Sequence, residues 1–118
     1  MPIAFSVHTS GNDTTDTTSY ATASVTLTAN RLYIIWILAD RASGFTGVST
    51  NATSTGATWD SMGNANWSAN RGRLRGLRTM VTSNQTGAIT ITHSSSVEGC
   101  AWVLWEVTGT DTSGTNGS

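Results

Sequence analysis

Two short runs of the sequence, Leu32–Ala39 and Cys100–Val107, are almost entirely apolar and rich in β-branched and aromatic residues. Neither run approaches the roughly 20 residues that a membrane-spanning helix needs. Runs of this length are typical of strands in the middle of a sheet with both faces covered, although a buried helix gives the same pattern. We favour two central strands, with Trp36, Trp102 and Trp105 in the core.

Four other segments read as strands, mostly because apolar and polar residues alternate with a period of two. They are Ile3–Val7, Tyr20–Thr28, Ala57–Met62 and Ala88–His93. In Tyr20–Thr28, the clearest of them, the Ala, Val and Leu positions are predicted to face the core and the Thr and Ser positions to face water. The short turn at residues 29–30 predicts that this strand forms a hairpin with the apolar run after it.

The segment Arg73–Val81 fits two structures. Its apolar residues have helical spacing, but Gly72 and Gly76 would each weaken a helix by about 1 kcal/mol relative to Ala. A strand with a β-bulge at Gly76 explains the same pattern, and we favour it.

These elements predict an all-β fold: an antiparallel β-sandwich, or jelly-roll-like structure, of about seven strands with no significant helix. Residues 1–109 are expected to form one domain and residues 110–118 a flexible polar tail. Residues 9–19, 40–57 and 63–72 are expected to be loops, the second of them with a short strand near Val48. The abundance of Thr and the absence of Lys agree with this fold, because Thr suits a pleated surface and Lys suits helices.

The charge and cysteine content restrict the functional class. A formal net charge of −1 argues against nucleic-acid binding, and no segment is suited to a membrane. Only 11% of residues are charged, against about 25% in typical domains. The lone Cys100 excludes an internal disulfide, and Met1-Pro2 leads into no secretory signal. A phage structural protein would have both a surface poor in charge and no disulfide or signal, because it is made in the host cytoplasm and later exposed on the virion surface. A fragment of a longer secreted protein would look the same.

The sequence indicates no enzyme and no catalytic residues. Without Lys there is no Schiff-base chemistry, no P-loop and no Lys–Asn isopeptide crosslink, and no G-x-S-x-G motif is present. Cys100 lies within an apolar run and is expected to be a buried small hydrophobe. His8 and His93 lack metal-binding spacing. Asp13 and Asp16 could offer oxygens to Ca²⁺, but Asp in a Thr-rich loop more often caps a turn, so we predict no metal and no cofactor.

Four of the six basic residues cluster within one segment. They are Arg71, Arg73, Arg75 and Arg78. A patch of this kind can bind an acidic neighbour, and these four residues are our candidate partner-binding site. The alternative is a solvated strand face that prevents sheets from pairing edge to edge.

Trp59 and Trp67 lie in polar surroundings, unlike the other three tryptophans. Exposed aromatic rings among Asn, Ser and Asp can form a platform on which sugar rings stack, which makes these two residues a candidate glycan site. The alternative for Trp59 is that it closes the end of the sandwich.

Five segments form a recognisable combination: YATASVTLTANRLYIIWILA, ATWDSMG, RLRGLRTMV, GAITITHS and GCAWVLWEVTGTDTSGTNGS. Together they resemble a β-sandwich module of bacteriophage and environmental virus virion proteins, found in tail fibres and capsid decoration proteins. The resemblance implies virion structure, surface attachment and often oligomerisation. In longer relatives GTDTSGTNGS is followed by more strands, so this chain is either a short complete version or is completed by a neighbouring chain.

We therefore expect a non-enzymatic capsid decoration (cement) protein that stabilises the shell by protein–protein contacts. Its expected partners are the major capsid protein and other copies of itself, with a trimer as the oligomer considered. The alternatives are a carbohydrate- or receptor-binding module of a phage fibre, with a glycan as partner, and a fragment of a bacterial surface adhesin.

Overall fold

The computed structural model describes residues 2–110, and all regular elements in that range are strands. The predicted all-β, antiparallel fold is confirmed, but there are ten strands instead of about seven. Residues 111–118 of the predicted tail lie outside the described range. In chain order the strands are β1 (Ala4–Asp13), β2 (Thr17–Ala21), β3 (Val25–Leu27), β4 (Leu32–Asp40), β5 (Thr50–Thr53), β6 (Asp60–Trp67), β7 (Gly72–Thr79), β8 (Gln85–Gly87), β9 (Thr90–Val97) and β10 (Gly99–Thr108).

The strands form one large sheet and two small ones. The large sheet, which we call the main sheet, has the order β1-β10-β4-β7-β6. The small sheets have the orders β2-β9-β5 and β3-β8, and every strand pair is antiparallel. As predicted, the two apolar runs are central strands of the main sheet, where β4 and β10 pair along their whole length.

The hydrophobic core lies between the main sheet and the two small sheets. Along β4 every second residue faces it, and these residues are Tyr33, Ile35, Ile37 and Ala39. Leu27, Ile91 and Val97 of the small sheets meet them from the other side. Burying a large apolar side chain contributes about 1.5–3 kcal/mol, so this layer is the main source of stability.

The predicted strand Tyr20–Thr28 is split between the two small sheets. β2 pairs with β9 and β3 pairs with β8, with a break between them. At the break Thr22 is buried, and its hydroxyl accepts the Ile89 N–H at 3.0 Å and donates to the Ala23 carbonyl at 2.8 Å. The prediction that Thr faces water and Ala faces the core is therefore wrong here, because hydrogen bonds allow the Thr hydroxyl to be buried.

Three local expectations are also wrong. Residues 9–13 and 63–67, predicted as loops, are the second halves of β1 and β6, and residues 17–19 of the first predicted loop begin β2. The strand expected near Val48 is β5, which begins at Thr50. The turn at residues 29–30 does not form a hairpin, because β3 pairs with β8 whereas β4 pairs with β10 and β7. The favoured strand over residues 73–81 is present as β7, but the β-bulge is on its neighbour β6, between Ser61 and Gly63. These segments are polar or short, and only their neighbours in the sheet make them strands.

Candidate functional site

The main sheet has a second face, which we call the outer face, and no other layer covers it within residues 2–110. It carries the residues of β4 that alternate with the core positions, which are Leu32, Ile34, Trp36 and Leu38. The expectation that both faces of the central strands are covered is therefore not met by the described chain. The same alternation places half of β10 on this face.

The outer face is apolar at its centre and polar at its margin. Phe5 and Val7 of β1 are the most exposed of its large apolar residues, at 64% and 54%. By strand register, the residues of the apolar centre are Phe5, Val7, Leu32, Ile34, Trp36, Leu38, Leu74, Val103, Trp105 and Val107. By the same register, the polar residues of this face are Ser10, Asn12, Asp40, Asp60 and Arg78. An apolar centre with a polar rim is the usual composition of a protein–protein contact surface.

The three tryptophans predicted for the core divide between the two faces of the main sheet. Trp102 packs against the core, as predicted. Trp36 and Trp105 lie on the outer face, opposite Val103 and Ile34 respectively, so their prediction as core residues is wrong. Periodicity could not separate the two faces, because both are apolar in β4 and β10.

Three tryptophan rings lie across glycines of the neighbouring strand. The pairs are Trp36 with Gly76, Trp67 with Gly72, and Trp102 with Gly11. In each pair a Cβ on the glycine would collide with the indole ring. The glycines of β1 and β7 therefore give the indole rings room to lie flat against the sheet.

The four clustered arginines do not form one surface. Arg73 and Arg75 point inward from β7, and Arg73 is only 8% exposed. The Arg73 guanidinium donates to the carbonyls of Phe45 and Val48 and lies 4.7 Å from the Phe45 ring centre. Burial and the nearby Arg75 charge lower the pKa of Arg73.

Arg75 and the remaining two arginines have different surroundings. The Arg75 side chain donates to the Thr50 carbonyl at 3.1 Å. Arg78 lies on the outer face, opposite Asp60 in register, and Arg71 is exposed in the β6–β7 turn. A joint role of the four in binding a partner stays a prediction, but Arg73 and Arg75 hold the segment from Phe45 to Thr50 in place.

The two candidate glycan-binding tryptophans also lie apart. Trp59 precedes β6 and packs against the core, with its indole N–H donating to the Ser54 hydroxyl at 3.0 Å. Trp67 ends β6, about 25 Å further along the strand at roughly 3.3 Å per residue, and is 46% exposed. The structure therefore does not bring them together, and only Trp67 is exposed on an open surface.

A cleft of about 530 Å³ lies at the Trp67 end of the outer face. Its lining includes Leu38 and Ala101 from the central strands, together with the ring of Trp67. Polar side chains of Asn12, Asp13, Asp40, Ser68 and Arg71 surround these apolar groups. A cleft of this volume, partly apolar and with several polar groups, is suited to a small ligand.

The β6–β7 turn forms one wall of this cleft in an uncommon conformation. Ser68, Ala69 and Asn70 have positive φ angles of 55°, 55° and 66°. Such angles are costly for residues other than glycine and persist where surrounding contacts enforce them. Here the backbone carbonyls of Asn70 and Arg71 accept the N–H groups of Phe45 and Arg41 at 2.9 Å and 2.8 Å.

The buried titratable groups are arranged for packing. Burial raises the pKa of the Cys100 thiol to about 12, which agrees with its expected role as a small hydrophobe. Burial also lowers the pKa of His93 to about 4. The His93 ring is 1% exposed, with Nδ1 3.0 Å from the Thr50 hydroxyl.

A second polar group of side chains lies on the inner face at the other end of the main sheet. The Tyr33 hydroxyl donates to Glu106 Oε2 at 2.7 Å, and Arg31 donates to Oε1 at 3.0 Å. The His8 ring meets Tyr33 edge-on, and its Nε2 donates to a backbone carbonyl. These contacts tie β1, β4 and β10 together near the strand ends.

Asp40 is a cleft residue that the sequence patterns do not predict. Asp40 directly follows one apolar run and Gly99 directly precedes the other, and the two residues pair in the sheet. Antiparallel pairing of the two central strands places those two positions side by side. This signal could have located the end of the sheet where the cleft lies.

Searches of family models, curated proteins and solved structures give no match to this chain. Within residues 2–110 there is no group of three or more His, Cys, Asp or Glu side chains that could hold a metal ion. That range also contains no helix that is long and apolar enough to cross a membrane.

Proposed function

We propose that this chain is a non-enzymatic structural protein of a virus particle, a capsid decoration protein whose outer face packs against the capsid shell. The observation that carries the proposal is the apolar centre of the outer face. Monomeric soluble proteins rarely leave large apolar patches exposed, and such patches commonly mark contact surfaces.

The outer face is large enough for a specific contact. Five strands about 4.8 Å apart and eight steps of about 3.3 Å along β4 give a planar area of about 600 Å². The smaller specific interfaces bury about 600 Å² on each partner. A cement protein needs a contact of this size to bind without covalent linkage.

The distribution of charge on the outer face also suits a contact with another protein. Strand register assigns only uncharged residues to the outer positions of β4 from Leu32 to Leu38 and of β10 from Ala101 to Val107. The charged residue Asp40 is exposed at the margin, where it stays hydrated after docking. A partner surface can therefore cover the centre without desolvating an unpaired charge.

The composition supports the virion setting of this proposal. Low charge, abundant Ser and Thr and the absence of Lys give the chain the surface of an exposed β protein. Its only cysteine, Cys100, is a buried free thiol, so stability does not depend on an oxidising compartment. A protein that is made in a host cytoplasm and then exposed on a particle needs this combination.

Co-sedimentation of the purified chain with capsid shells of its parent particle tests the proposal. We expect the wild-type chain to sediment with the shells and the double variant Phe5→Asp/Val7→Asp to stay in solution. Both residues are more than half exposed, so the variant should fold normally. The matched control is Ala21→Asp/Ala23→Asp, which adds the same charge at exposed positions of the opposite layer.

The outcomes separate the proposal from its rivals. Retention of the control on shells and loss of the Phe5/Val7 variant would support decoration. A well-folded monomer that ignores shells would overturn it. A closed oligomer that forms through Phe5 and Val7 and still ignores shells would also overturn it, because the outer face would then already be filled.

A further inference from the structure

We infer that the cleft beside Trp67 is a binding site for an uncharged pyranose unit of a glycan. The cleft lies at one end of the same outer face and shares Leu38 and Ala101 with it, but the inference concerns the free chain and does not depend on shell binding. It rests on the ring of Trp67, on the free polar side chains around it and on the rigidity of the wall that carries them.

Trp67 supplies the aromatic surface that sugar binding requires. Its ring lies across Gly72, which holds it against the sheet, yet the residue is 46% exposed. The electron-rich face of an indole attracts the weakly positive C–H groups on the face of a pyranose ring. A tryptophan that is already held in place loses little side-chain entropy when a sugar stacks on it.

Polar groups with unused hydrogen-bonding capacity surround this ring. Within residues 2–110, the side chains of Asn12, Asp40 and Arg71 make no hydrogen bond, although all three line the cleft. Asp13 is oriented by the Thr15 N–H, which donates to its carboxylate at 2.8 Å and lowers its pKa. Carboxylates accept hydrogen bonds from sugar hydroxyls, while amide and guanidinium groups donate to them.

The charges of the cleft favour neutral sugars over acidic ones. Two carboxylates, Asp13 and Asp40, and one guanidinium, Arg71, line it. The excess negative charge repels a uronic or sialic acid, whereas uncharged hydroxyl groups can pair with every one of these side chains.

The wall that carries Trp67 and Arg71 is fixed before any ligand binds. These two residues flank the three consecutive positive-φ residues, and the Arg71 N–H donates to the Trp67 carbonyl at 3.1 Å. Backbone hydrogen bonds from Arg41 and Phe45 hold the same turn from the other side. A fixed wall reduces the entropy lost on binding.

The cleft lies at the end of the outer face that is opposite Phe5 and Val7. Asp40 and Phe5 lie near the two ends, and roughly eight strand residues at about 3.3 Å each separate their levels. A partner that covers the whole outer face also covers Leu38 and Ala101, so glycan binding is expected for the free chain and not for the chain docked on a shell.

Titration of the ¹⁵N-labelled chain by NMR tests the inference with five neutral probes and one acidic probe. The neutral probes are maltotriose, cellotriose, mannotriose, chitotriose and lactose, and the acidic probe is sialyllactose. We expect at least one neutral probe to give saturable shifts at the Trp67 indole N–H and at the amides of Gly72 and Ala101. Sialyllactose, which adds a carboxylate to lactose, should bind more weakly than lactose itself.

Variants then establish that binding uses the named side chains. Asp40→Asn and Arg71→Ala are expected to weaken binding about tenfold each, which is the usual loss for a hydrogen bond to a charged group. Trp67→Phe keeps a ring over Gly72 with a smaller stacking surface, and it should also weaken binding. Asp16→Asn, another exposed aspartate outside the cleft, is the matched control and should bind as the wild type does.

Three results would overturn the inference. One is the absence of saturable shifts with every neutral probe at millimolar concentration. Another is binding that Asp40→Asn and Arg71→Ala leave unchanged. The third is tighter binding of sialyllactose than of the neutral probes. None of them bears on shell binding, which the Phe5/Val7 variant tests separately.

Discussion

The indole of Trp36 lies directly over Gly76 of the neighbouring strand, so that a Cβ on residue 76 would be 2.5 Å from Cζ3 of the ring. The two residues pair across β4 and β7 on the outer face. The Trp36 ring thus occupies the space that a side chain at residue 76 would fill. Neither residue can be changed alone without disturbing the sheet.

Gly76→Ala is expected to destabilise the fold by about 1–3 kcal/mol, because the Trp36 ring must leave its position or the strands must separate. Urea denaturation measures the change. Gly99→Ala is the matched control: a Cβ at Gly99 of β10 would have no atom closer than 3.7 Å, so its stability should stay within about 0.5 kcal/mol of wild type. Equal effects of the two substitutions would contradict the Trp36–Gly76 contact.

Arg73→Ala is expected to lower stability by about 2–4 kcal/mol, because the carbonyls of Phe45 and Val48 lose their buried donor. Hydrogen exchange should show faster exchange in the segment from Phe45 to Val48. Arg71→Ala removes an exposed arginine from the same cluster and should change stability by less than about 0.5 kcal/mol. If the two arginines prove equally dispensable, Arg73 does not hold this segment.

The stability of the fold is expected to depend on pH through His93. Its pKa is about 4 in the folded chain against 6.5 unperturbed, because burial disfavours the imidazolium. Between those values the unfolded chain binds a proton that the folded chain does not. Stability therefore falls as pH drops through this window and is fully retained above it, with a total change of up to about 3 kcal/mol.

The variant His93→Gln isolates this contribution, since glutamine does not titrate and can still bond to Thr50. The stability difference between wild type and variant, measured by urea denaturation at several pH values, should shrink as the pH falls from 7 to 4. A difference that stays constant over that range would show that His93 is protonated equally in both states. His8→Gln, at an exposed ring, is the control.

Cys100 is expected to be inert in the folded chain. Its pKa rises from 9.0 to about 12 on burial, so the thiolate fraction at pH 8 falls about a thousandfold. Reaction with an aromatic disulfide reagent should be slower by that factor or more in buffer than in denaturing urea. Labelling at similar rates in the two conditions would mean that the end of β10 opens readily.

The sequence predicted what depends on hydrophobic patterning, which includes the all-β class, the two central strands and the burial of Cys100. It did not predict β1 beyond His8 or β6 beyond Met62, because Ser, Gly and Asn form strands there only when a neighbouring strand supplies hydrogen bonds. It also could not tell that Trp36 faces outward, since the residues on both sides of β4 are apolar.

The candidate site was accessible from the sequence only in part. Trp67 was identified from its polar surroundings, but its separation from Trp59 depends on the length of β6. Asp40 was missed because a single carboxylate after an apolar run carries no signal without the pairing that sets it beside Gly99. The division of the arginines between two faces follows from strand alternation once β7 is accepted as a strand.

The position of β10 between β1 and β4 has a consequence for synthesis of the chain on the ribosome. The main sheet cannot close until residues 99–108 have emerged, although β1 and β4 emerge much earlier. At about 5–20 residues per second this delay lasts several seconds, during which the apolar β4 has no β10 beside it. A nascent chain of this topology folds correctly only if aggregation is slower than translation, or if chaperones shield β4 until β10 emerges.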